Sequence, residues 1–157
     1  VTRTKVGDVY VAERAAMEDV AFGGEPSGAW IWPDETLCPD GPLAACKLVE
    51  LVATEGPLAD LVAGIDTYPI RRENISVAED EKGELVDAVA SLVAERYDAG
   101  AVTSLDGVRV ETDAGWLLVR ASGTQPLIRL TAEARTEEDV EGLLAEGEEL
   151  VGRVERQ

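Results

Sequence analysis

One stretch of this sequence combines the groups that bind a phosphate. Arg120 and Arg129 flank a segment in which two hydroxyl residues surround Gly123. An anionic phosphate requires a charged fork, hydroxyl donors and backbone N–H groups in a concave turn, and all three are present. The segment is therefore a candidate phosphate-binding loop, and the alternative is an ordinary hairpin turn with two surface arginines.

A second stretch, Gly23-Gly24-Glu25-Pro26-Ser27-Gly28, combines a carboxylate and a hydroxyl with glycines on both sides. Such a tight backbone can present Glu25 and Ser27 in the same direction. A carboxylate accepts hydrogen bonds from neighbouring hydroxyls, and a serine adds another, which suits a sugar ring. The alternative is a glycine-rich turn with an exposed glutamate.

Neither stretch contains the groups of a self-sufficient catalyst. The chain has no histidine, so Ser27 and Ser122 lack an imidazole base that could activate them. Its acidic residues show no tightly spaced metal cluster, and Cys38 and Cys46, eight positions apart without a CxxC pair, argue against zinc. We expect both cysteines to be reduced. The residues alone thus indicate a binding unit for a phosphorylated polyol.

The elements that position the first stretch are mostly helical. We predict a helix over Val9–Val20 and a short strand over Ala29–Trp32. Asp40 and Pro42 indicate the start of a helix that ends at Gly56. A short helix over 57–63 and a linker over 65–72 follow.

The second stretch lies in a unit of strands and helices. We predict a strand near Ile70–Val77, a helix over Glu79–Tyr97, and a final helix that Thr136 begins with a capping box. Between the helices lie three strand candidates with alternating or apolar residues, at 108–112, 116–120 and 127–134. The order β-α-β-β-β-α predicts an antiparallel sheet with two helices on one side.

Charge excludes several classes of partner. The net charge is −18 over 157 residues, spread along the whole chain, and Arg outnumbers Lys by 11 to 3. This field opposes binding to nucleic acids and to anionic membranes. No apolar stretch approaches the roughly 18–20 residues that span a bilayer, and no signal peptide is evident. We expect a cytoplasmic protein, and the acidic, Lys-poor surface suggests a halophilic source.

Three ordered blocks resemble the phosphohexose mutases, a family of phosphoglucomutases, phosphomannomutases and phosphoglucosamine mutases. Residues 2–7 (TRTKVG) resemble a third-domain motif, and residues 22–28 (FGGEPSG) resemble the family's sugar loop, often written GGExSGH. Residues 106–129 resemble the fourth-domain strand pair and its phosphate loop. The Gly-Glu-Pro-Ser-Gly-Ala form of the sugar loop is similar to archaeal members, which together with the charge suggests a haloarchaeal protein.

The resemblance implies a fold and a place in a longer enzyme. Residues 1–68 would be the later part of an α/β/α third domain. Residues 69–157 would be the fourth domain, a TATA-box-binding-protein-like antiparallel sheet with two helices on one face. The family's catalytic phosphoserine and its Mg²⁺-binding aspartates belong to earlier domains, so the chain, which lacks an initiator Met, is expected to be an inactive fragment. Its partners would be a hexose phosphate and those N-terminal domains.

The resemblance also implies roles for individual residues. Glu25 and Ser27 would hold sugar hydroxyls, and no residue of the chain would be catalytic or bind metal. The phosphate would be held by residues of the loop, with Arg129 as a supporting charge. These loop residues are Arg120, Ser122, Gly123 and Thr124. Many members have histidines where this chain has Asp8 and Ala29. Asp8 could act near the substrate or could cap the helix that follows it.

By this resemblance the whole enzyme is a carbohydrate-metabolising isomerase, an intramolecular phosphotransferase. It moves a phosphoryl group between C1 and C6 of a hexose phosphate by way of the phosphoserine. The alternative is a stand-alone, non-catalytic module that binds phosphosugars, and a weaker one is a structural acidic protein whose loops are only turns.

The acidic surface generates a prediction about salt. At low ionic strength the repulsion between carboxylates destabilises the folded chain, and molar KCl screens this repulsion. We therefore expect the free energy of unfolding, measured by urea denaturation, to rise between dilute buffer and molar KCl. Equal stability in the two conditions would contradict salt adaptation.

Overall fold

The structure is a computed structural model that describes residues 1–154 and residue 156. The chain divides into two compact units, Val1–Asp66 and Thr67–Gln157. Each unit has a hydrophobic core of its own. In the part of the chain that the structure describes, no helix has both the length and the apolar character that a membrane crossing requires.

The first unit is mainly helical. Its elements are α1 (Asp8–Ala15), β1 (Gly23–Gly24), β2 (Trp30–Ile31), α2 (Gly41–Glu55) and α3 (Leu58–Val62). The two short strands are antiparallel, with Gly23 opposite Ile31. Val11 and Ala15 of α1 pack on Ile31 and form the small buried core.

The start of α2 was predicted correctly, whereas the length of α1 was not. Asp40 caps α2, because its carboxylate accepts a hydrogen bond from the N–H of Leu43 at 2.8 Å. The predicted helix over Val9–Val20 ends at Ala15 instead. Beyond it the N–H of Met17 bonds to the carbonyl of Arg14, three residues back, so the chain tightens into turns.

Most of α2 is not covered within this unit. Ala44 is its one buried residue, although the helix carries many apolar side chains. Among these, Leu48, Val49, Leu51 and Val52 are exposed. The apolar side of α2 therefore contributes little to the core of the first unit.

The second unit is a sheet covered by helices on one face. Its elements are β3 (Ile70–Ser76), α4 (Lys82–Arg96), a single 3₁₀ turn (Ala99–Ala101), β4 (Val102–Thr103), β5 (Val108–Glu111), β6 (Gly115–Ala121), β7 (Leu127–Ala134) and α5 (Glu137–Val154). The strand order is β3-β7-β6-β5-β4, and all neighbours are antiparallel. The predicted antiparallel sheet with two helices is confirmed. Strand β4 was missed because a strand of two residues shows no alternation.

Alternation along the strands separates the two faces of this sheet. Val119, Ile128 and Leu130 are buried with the apolar sides of α4 and α5. Successive residues of a strand point to opposite faces of the sheet. Arg120, which follows Val119, and Arg129, which lies between Ile128 and Leu130, are therefore on the opposite face. The sheet thus has an apolar face under the helices and a polar face without helices.

Polar contacts fix the two helices of the second unit. Thr136 caps α5, since its hydroxyl accepts a hydrogen bond from the N–H of Asp139 at 3.1 Å. Tyr97, directly after α4, donates a hydrogen bond to Glu146 of α5, and Arg96 forms an ion pair with the same carboxylate at 3.0 Å. Burial, followed by the bond to Glu146, raises the pKa of Tyr97 to about 12.

Gly115 allows β6 and β7 to approach each other at the start of their pairing. A Cβ atom at this position would lie 2.1 Å from the carbonyl oxygen of Glu133 and 2.7 Å from the Cα atom of Ala134. Both neighbours are backbone atoms, which cannot turn aside as a side chain can. Any residue other than glycine would therefore separate the two strands.

We predict that Gly115→Ala lowers the free energy of unfolding of the second unit by about 3 kcal/mol, because the added methyl group must displace backbone. Gly142→Ala is the matched control, because Gly142 is an exposed residue of α5 and nothing would lie within 4 Å of an added Cβ atom. It should raise stability by about 0.5–1 kcal/mol. Urea denaturation followed by the NMR signals of β6 and β7 measures both, and equal effects would contradict the prediction.

Candidate functional site

The predicted phosphate loop connects β6 to β7 and is held closed by backbone hydrogen bonds. The N–H of Ser122 donates to the carbonyl of Leu127 at 2.9 Å, and the N–H of Val77 donates to the carbonyl of Pro126 at 3.1 Å. Ser122 is buried, whereas residues 123–126 are exposed. The loop thus has an anchored start and an exposed tip at Gly123 and Thr124.

The hydroxyl of Ser122 forms a hydrogen bond inside the loop. Its Oγ atom accepts a hydrogen bond from the N–H of Thr124 at 3.4 Å. A serine that bonds the amide two residues ahead shapes a tight turn. Of the two predicted hydroxyl donors, Thr124 therefore lies at the exposed tip, whereas Ser122 is buried and its oxygen also takes part in the turn.

Arg120 and Arg129 are direct partners in the antiparallel register of β6 and β7. Opposite residues point to the same face, so both guanidinium groups are on the polar face of the sheet. The Nε atom of Arg129 donates to the side-chain oxygen of Asn74 at 3.1 Å, and Asn74 is its register partner in β3. The structure therefore brings the two predicted arginines together beside the loop.

Asp106 positions Arg120. Its carboxylate oxygen accepts a hydrogen bond from Nη1 of Arg120 at 2.9 Å, and the Arg120 side chain is 20% exposed. Gly107 makes this approach possible, because its φ is +81° and a Cβ atom there would lie 2.3 Å from the carbonyl oxygen of Val119. The sequence alone predicted no role for Asp106 in the site, although the Asp-Gly pair before β5 was the available signal.

Lys82 is a further residue that the sequence reasoning missed. Its Nζ atom donates to the carbonyls of Ser122 at 2.7 Å and Gln125 at 3.4 Å, and it forms an ion pair with Glu79 at 2.6 Å. Lys82 is the only lysine after residue 67. That isolation, at the start of a helix in an acidic run, was the signal that could have identified it.

The structure brings Glu25 and Ser27 together, as their spacing predicted. The hydroxyl of Ser27 donates to Oε2 of Glu25 at 3.4 Å, and the turn is closed by the N–H of Gly28, which donates to the Glu25 carbonyl at 3.0 Å. Gly28 has φ +90°, a conformation that favours glycine. The two candidate sugar ligands therefore occupy one tight turn.

The Glu25 carboxylate also binds the N-terminal segment. Its Oε1 atom accepts a hydrogen bond from the N–H of Gly7 at 2.8 Å. Glu25 lines an open groove of about 900 Å³ together with the stretch 1–6 and the stretch 19–24. The first resembling block and the sugar loop are thus neighbours in the structure, which their separation in sequence did not show.

The same groove contains three cations, Arg3, Lys5 and Arg14. Arg14 forms a two-pronged ion pair with Asp19, with distances of 2.9 and 2.8 Å. The hydrogen bonds of this pair raise the pKa of Arg14 and lower the pKa of Asp19. In a chain of net charge −18, the lining of this groove therefore balances these three cations against two carboxylates, those of Asp19 and Glu25.

Asp8 does not cap the first helix. It is the first residue of α1, and its carboxylate accepts a hydrogen bond from the N–H of the adjacent Val9 at 2.9 Å. Gly7 occupies the cap position and has no side chain to supply a hydrogen bond. The helix-capping alternative for Asp8 is therefore wrong.

No metal-binding cluster is present among residues 1–154 and 156, since no three His, Cys, Asp or Glu side chains converge there. The described residues therefore offer no set of three protein ligands that could hold a Mg²⁺ ion. Cys38 and Cys46 form no disulfide in the structure, and both are exposed.

Two adjacent family models match the chain. Residues 1–68 match the model for "Phosphoglucomutase/phosphomannomutase, alpha/beta/alpha domain III", and residues 73–150 match "Phosphoglucomutase/phosphomannomutase, C-terminal domain". Together the two segments span nearly the whole chain in the order that the family has. The two models confirm the predicted fold class, which is a later part of an α/β/α domain followed by an antiparallel sheet with two helices.

Curated relatives support the same assignment. A "Probable phosphoglucosamine mutase" from Methanopyrus kandleri is 49% identical over 98% of this chain, and one from Methanothermobacter thermautotrophicus is 44% identical over 88%. The chain covers 34% and 31% of their lengths, about a third.

A solved structure agrees on the fold. It is a phosphoglucomutase/phosphomannomutase family protein from Burkholderia thailandensis, which matches 97% of this chain with a TM-score of 0.80 and 22% identity. The chain covers 32% of that structure. Because the two family models together match nearly the whole chain, this chain belongs to the phosphoglucomutase/phosphomannomutase family and corresponds to its C-terminal portion.

Proposed function

We propose that this chain is the substrate-binding C-terminal part of a phosphosugar mutase, which moves a phosphoryl group between C1 and C6 of a hexose phosphate. The observation that carries the proposal is the loop between β6 and β7. Arg120 and Arg129 lie side by side beside it, and its tip exposes Gly123 and Thr124. Guanidinium forks, a hydroxyl and a backbone amide form a suitable set for a phosphate.

The second loop is proposed to bind sugar hydroxyls. Glu25 offers carboxylate oxygens and Ser27 an exposed hydroxyl in the same turn. Because the chain has Ala29 where many members have histidine, these two side chains must supply this loop's polar contacts to the sugar. A carboxylate accepts hydrogen bonds from hydroxyls on either edge of a sugar, which suits a substrate that binds in two orientations.

The loop chemistry explains how one site can serve both ends of the substrate. In the proposed reaction the phosphate loop holds one phosphate while the other end of the sugar exchanges its phosphoryl group with a serine. Arginine forks and backbone N–H groups recognise a phosphate without reading the sugar attached to it. The loop can therefore hold the C1 phosphate and the C6 phosphate in turn.

The reacting groups are proposed to lie outside this chain. The serine that carries the phosphoryl group and the Mg²⁺ that assists its transfer belong, in this proposal, to N-terminal domains of the same protein. The exposed apolar side of α2 supports such a partner, since contiguous exposed apolar surface marks an interaction site. We propose residues 1–68 and 69–157 as the two domains present here.

Glucosamine phosphate is the proposed substrate, because the relatives with 49% and 44% identity bear the name phosphoglucosamine mutase. These relatives come from archaea. We also propose a haloarchaeal source, which the net charge of −18 supports, and a cytoplasmic location, which suits an enzyme of sugar phosphates.

One prediction of the proposed function concerns Arg120 in the complete mutase that contains this chain. Arg120→Ala removes a charged donor from the phosphate site, so the KM for the sugar phosphate should rise on the order of 10- to 100-fold. Arg71→Ala is the matched control, because Arg71 also pairs with a carboxylate, that of Glu137 at 2.8 Å, but is exposed at the far end of β3. Unchanged kinetics in Arg120→Ala would remove Arg120 from the site.

Another prediction of the proposed function concerns the substrate. A coupled assay of the complete enzyme with glucose, mannose and glucosamine phosphates should give the highest kcat/KM for glucosamine phosphate. No turnover of any of the three, together with retained binding of phosphosugar, would favour the alternative of a non-catalytic binding module.

A further inference from the structure

Lys82 lies beneath the phosphate loop rather than beside its exposed tip. It is the first residue of α4, and its side chain is 14% exposed although lysines are normally solvated. Its ammonium group joins the carbonyl of Ser122 to the carbonyl of Gln125. One side chain thus connects the two ends of the exposed tip of the loop.

All the donors of this ammonium group are in use. A lysine has three N–H donors and no acceptor. The three acceptors around Nζ are the carbonyls of Ser122 and Gln125 and the carboxylate of Glu79. Lys82 therefore has no donor left for a ligand, and any effect that it has on phosphate binding passes through the loop.

The bond to Ser122 determines where the next amide points. The peptide bond between Ser122 and Gly123 is trans, so its carbonyl and its N–H point in opposite directions. Because the carbonyl points at Lys82, the N–H of Gly123 points away from the ammonium group. Among the described residues this N–H has no acceptor, and nothing would contact a Cβ atom at Gly123 within 4 Å.

The positive charge has a second effect on the same peptide. A cation on a carbonyl polarises the amide and makes its N–H a stronger donor, as in any chain of hydrogen bonds. The N–H of Gly123 is therefore both directed to the exposed side of the loop and strengthened. These are the two properties that a backbone donor needs in order to bind an anion.

We propose that Lys82 is the positioning residue of the phosphate loop. It holds the Ser122 and Gln125 carbonyls inward, so that the Gly123 N–H faces the ligand. This inference rests on the proposed function, because it assumes that the loop binds phosphate. Lys82 itself does not contact the phosphate.

The experiment is an NMR titration of the 157-residue chain with inorganic phosphate at constant ionic strength. In the wild type the Gly123 amide signal should shift as phosphate binds. Lys82→Met keeps the aliphatic stem but has no donors, so the Kd should rise about tenfold, the value of one well-placed charge-assisted hydrogen bond. The shift of Gly123 at saturation should also fall.

Two controls separate positioning from general stability. Lys47→Met removes a lysine that pairs with Glu35 at 3.3 Å in the other unit, and it should leave the phosphate Kd unchanged. Lys82→Arg keeps the charge and several donors, so it should give a Kd between those of the wild type and Lys82→Met. It also decides the question if Lys82→Met fails to give a folded spectrum, because a wild-type Kd together with a changed Ser122 carbonyl ¹³C shift in Lys82→Arg, which would show that the contact is lost while binding is kept, would overturn the proposal.

The outcomes distinguish this inference from the function on which it rests. If phosphate shifts no loop amide in the wild type, the proposed phosphate site itself is wrong. If the wild type responds and a folded Lys82→Met has the same Kd and the same Gly123 shift, the loop binds phosphate but Lys82 does not position it.

Discussion

The antiparallel register between β6 and β7 is the constraint on which the second unit depends. It pairs Arg120 with Arg129 and, by alternation, turns Val119 and Leu130 toward the helices. A shift of β7 by one residue would turn its apolar residues away from the helices and would turn Arg129 toward them. The same pairing brings the ends of the loop together. The core and the candidate phosphate site therefore follow from one set of backbone hydrogen bonds, which the close approach at Gly115 permits.

Two like charges directly opposite each other on a sheet are unfavourable, so their presence requires compensation. The structure supplies partial compensation, because Asp106 neutralises Arg120 while Asn74 gives Arg129 only an uncharged acceptor. A bound phosphate would supply the remaining negative charge. In a chain this acidic, the pair is therefore more readily explained by an anionic ligand than by stability of the sheet.

The two units differ in how completely they bury their own apolar residues. The second unit encloses its core between the sheet and two helices, so its loop is held by a rigid framework. The first unit has a three-residue buried core and leaves the apolar side of α2 exposed. Its sugar loop is fixed mainly by local bonds, among them the bond from the Gly7 N–H to the Glu25 carboxylate.

The sequence by itself determined the features that local chemistry fixes. Alternation and capping predicted the sheet, α2 and the start of α5, and the spacing of Arg120, Gly123 and Arg129 predicted an anion loop. The helix predicted from the sequence was longer than α1, because the turn that Met17 closes on Arg14 depends on geometry that the apolar pattern does not encode. Tertiary structure alone decided which distant groups support the loops. Lys82 lies 40 residues from Ser122, whose carbonyl it binds, and Asp106 lies 14 residues from Arg120. Only the folded chain brings Lys82 to the loop and Asp106 to Arg120.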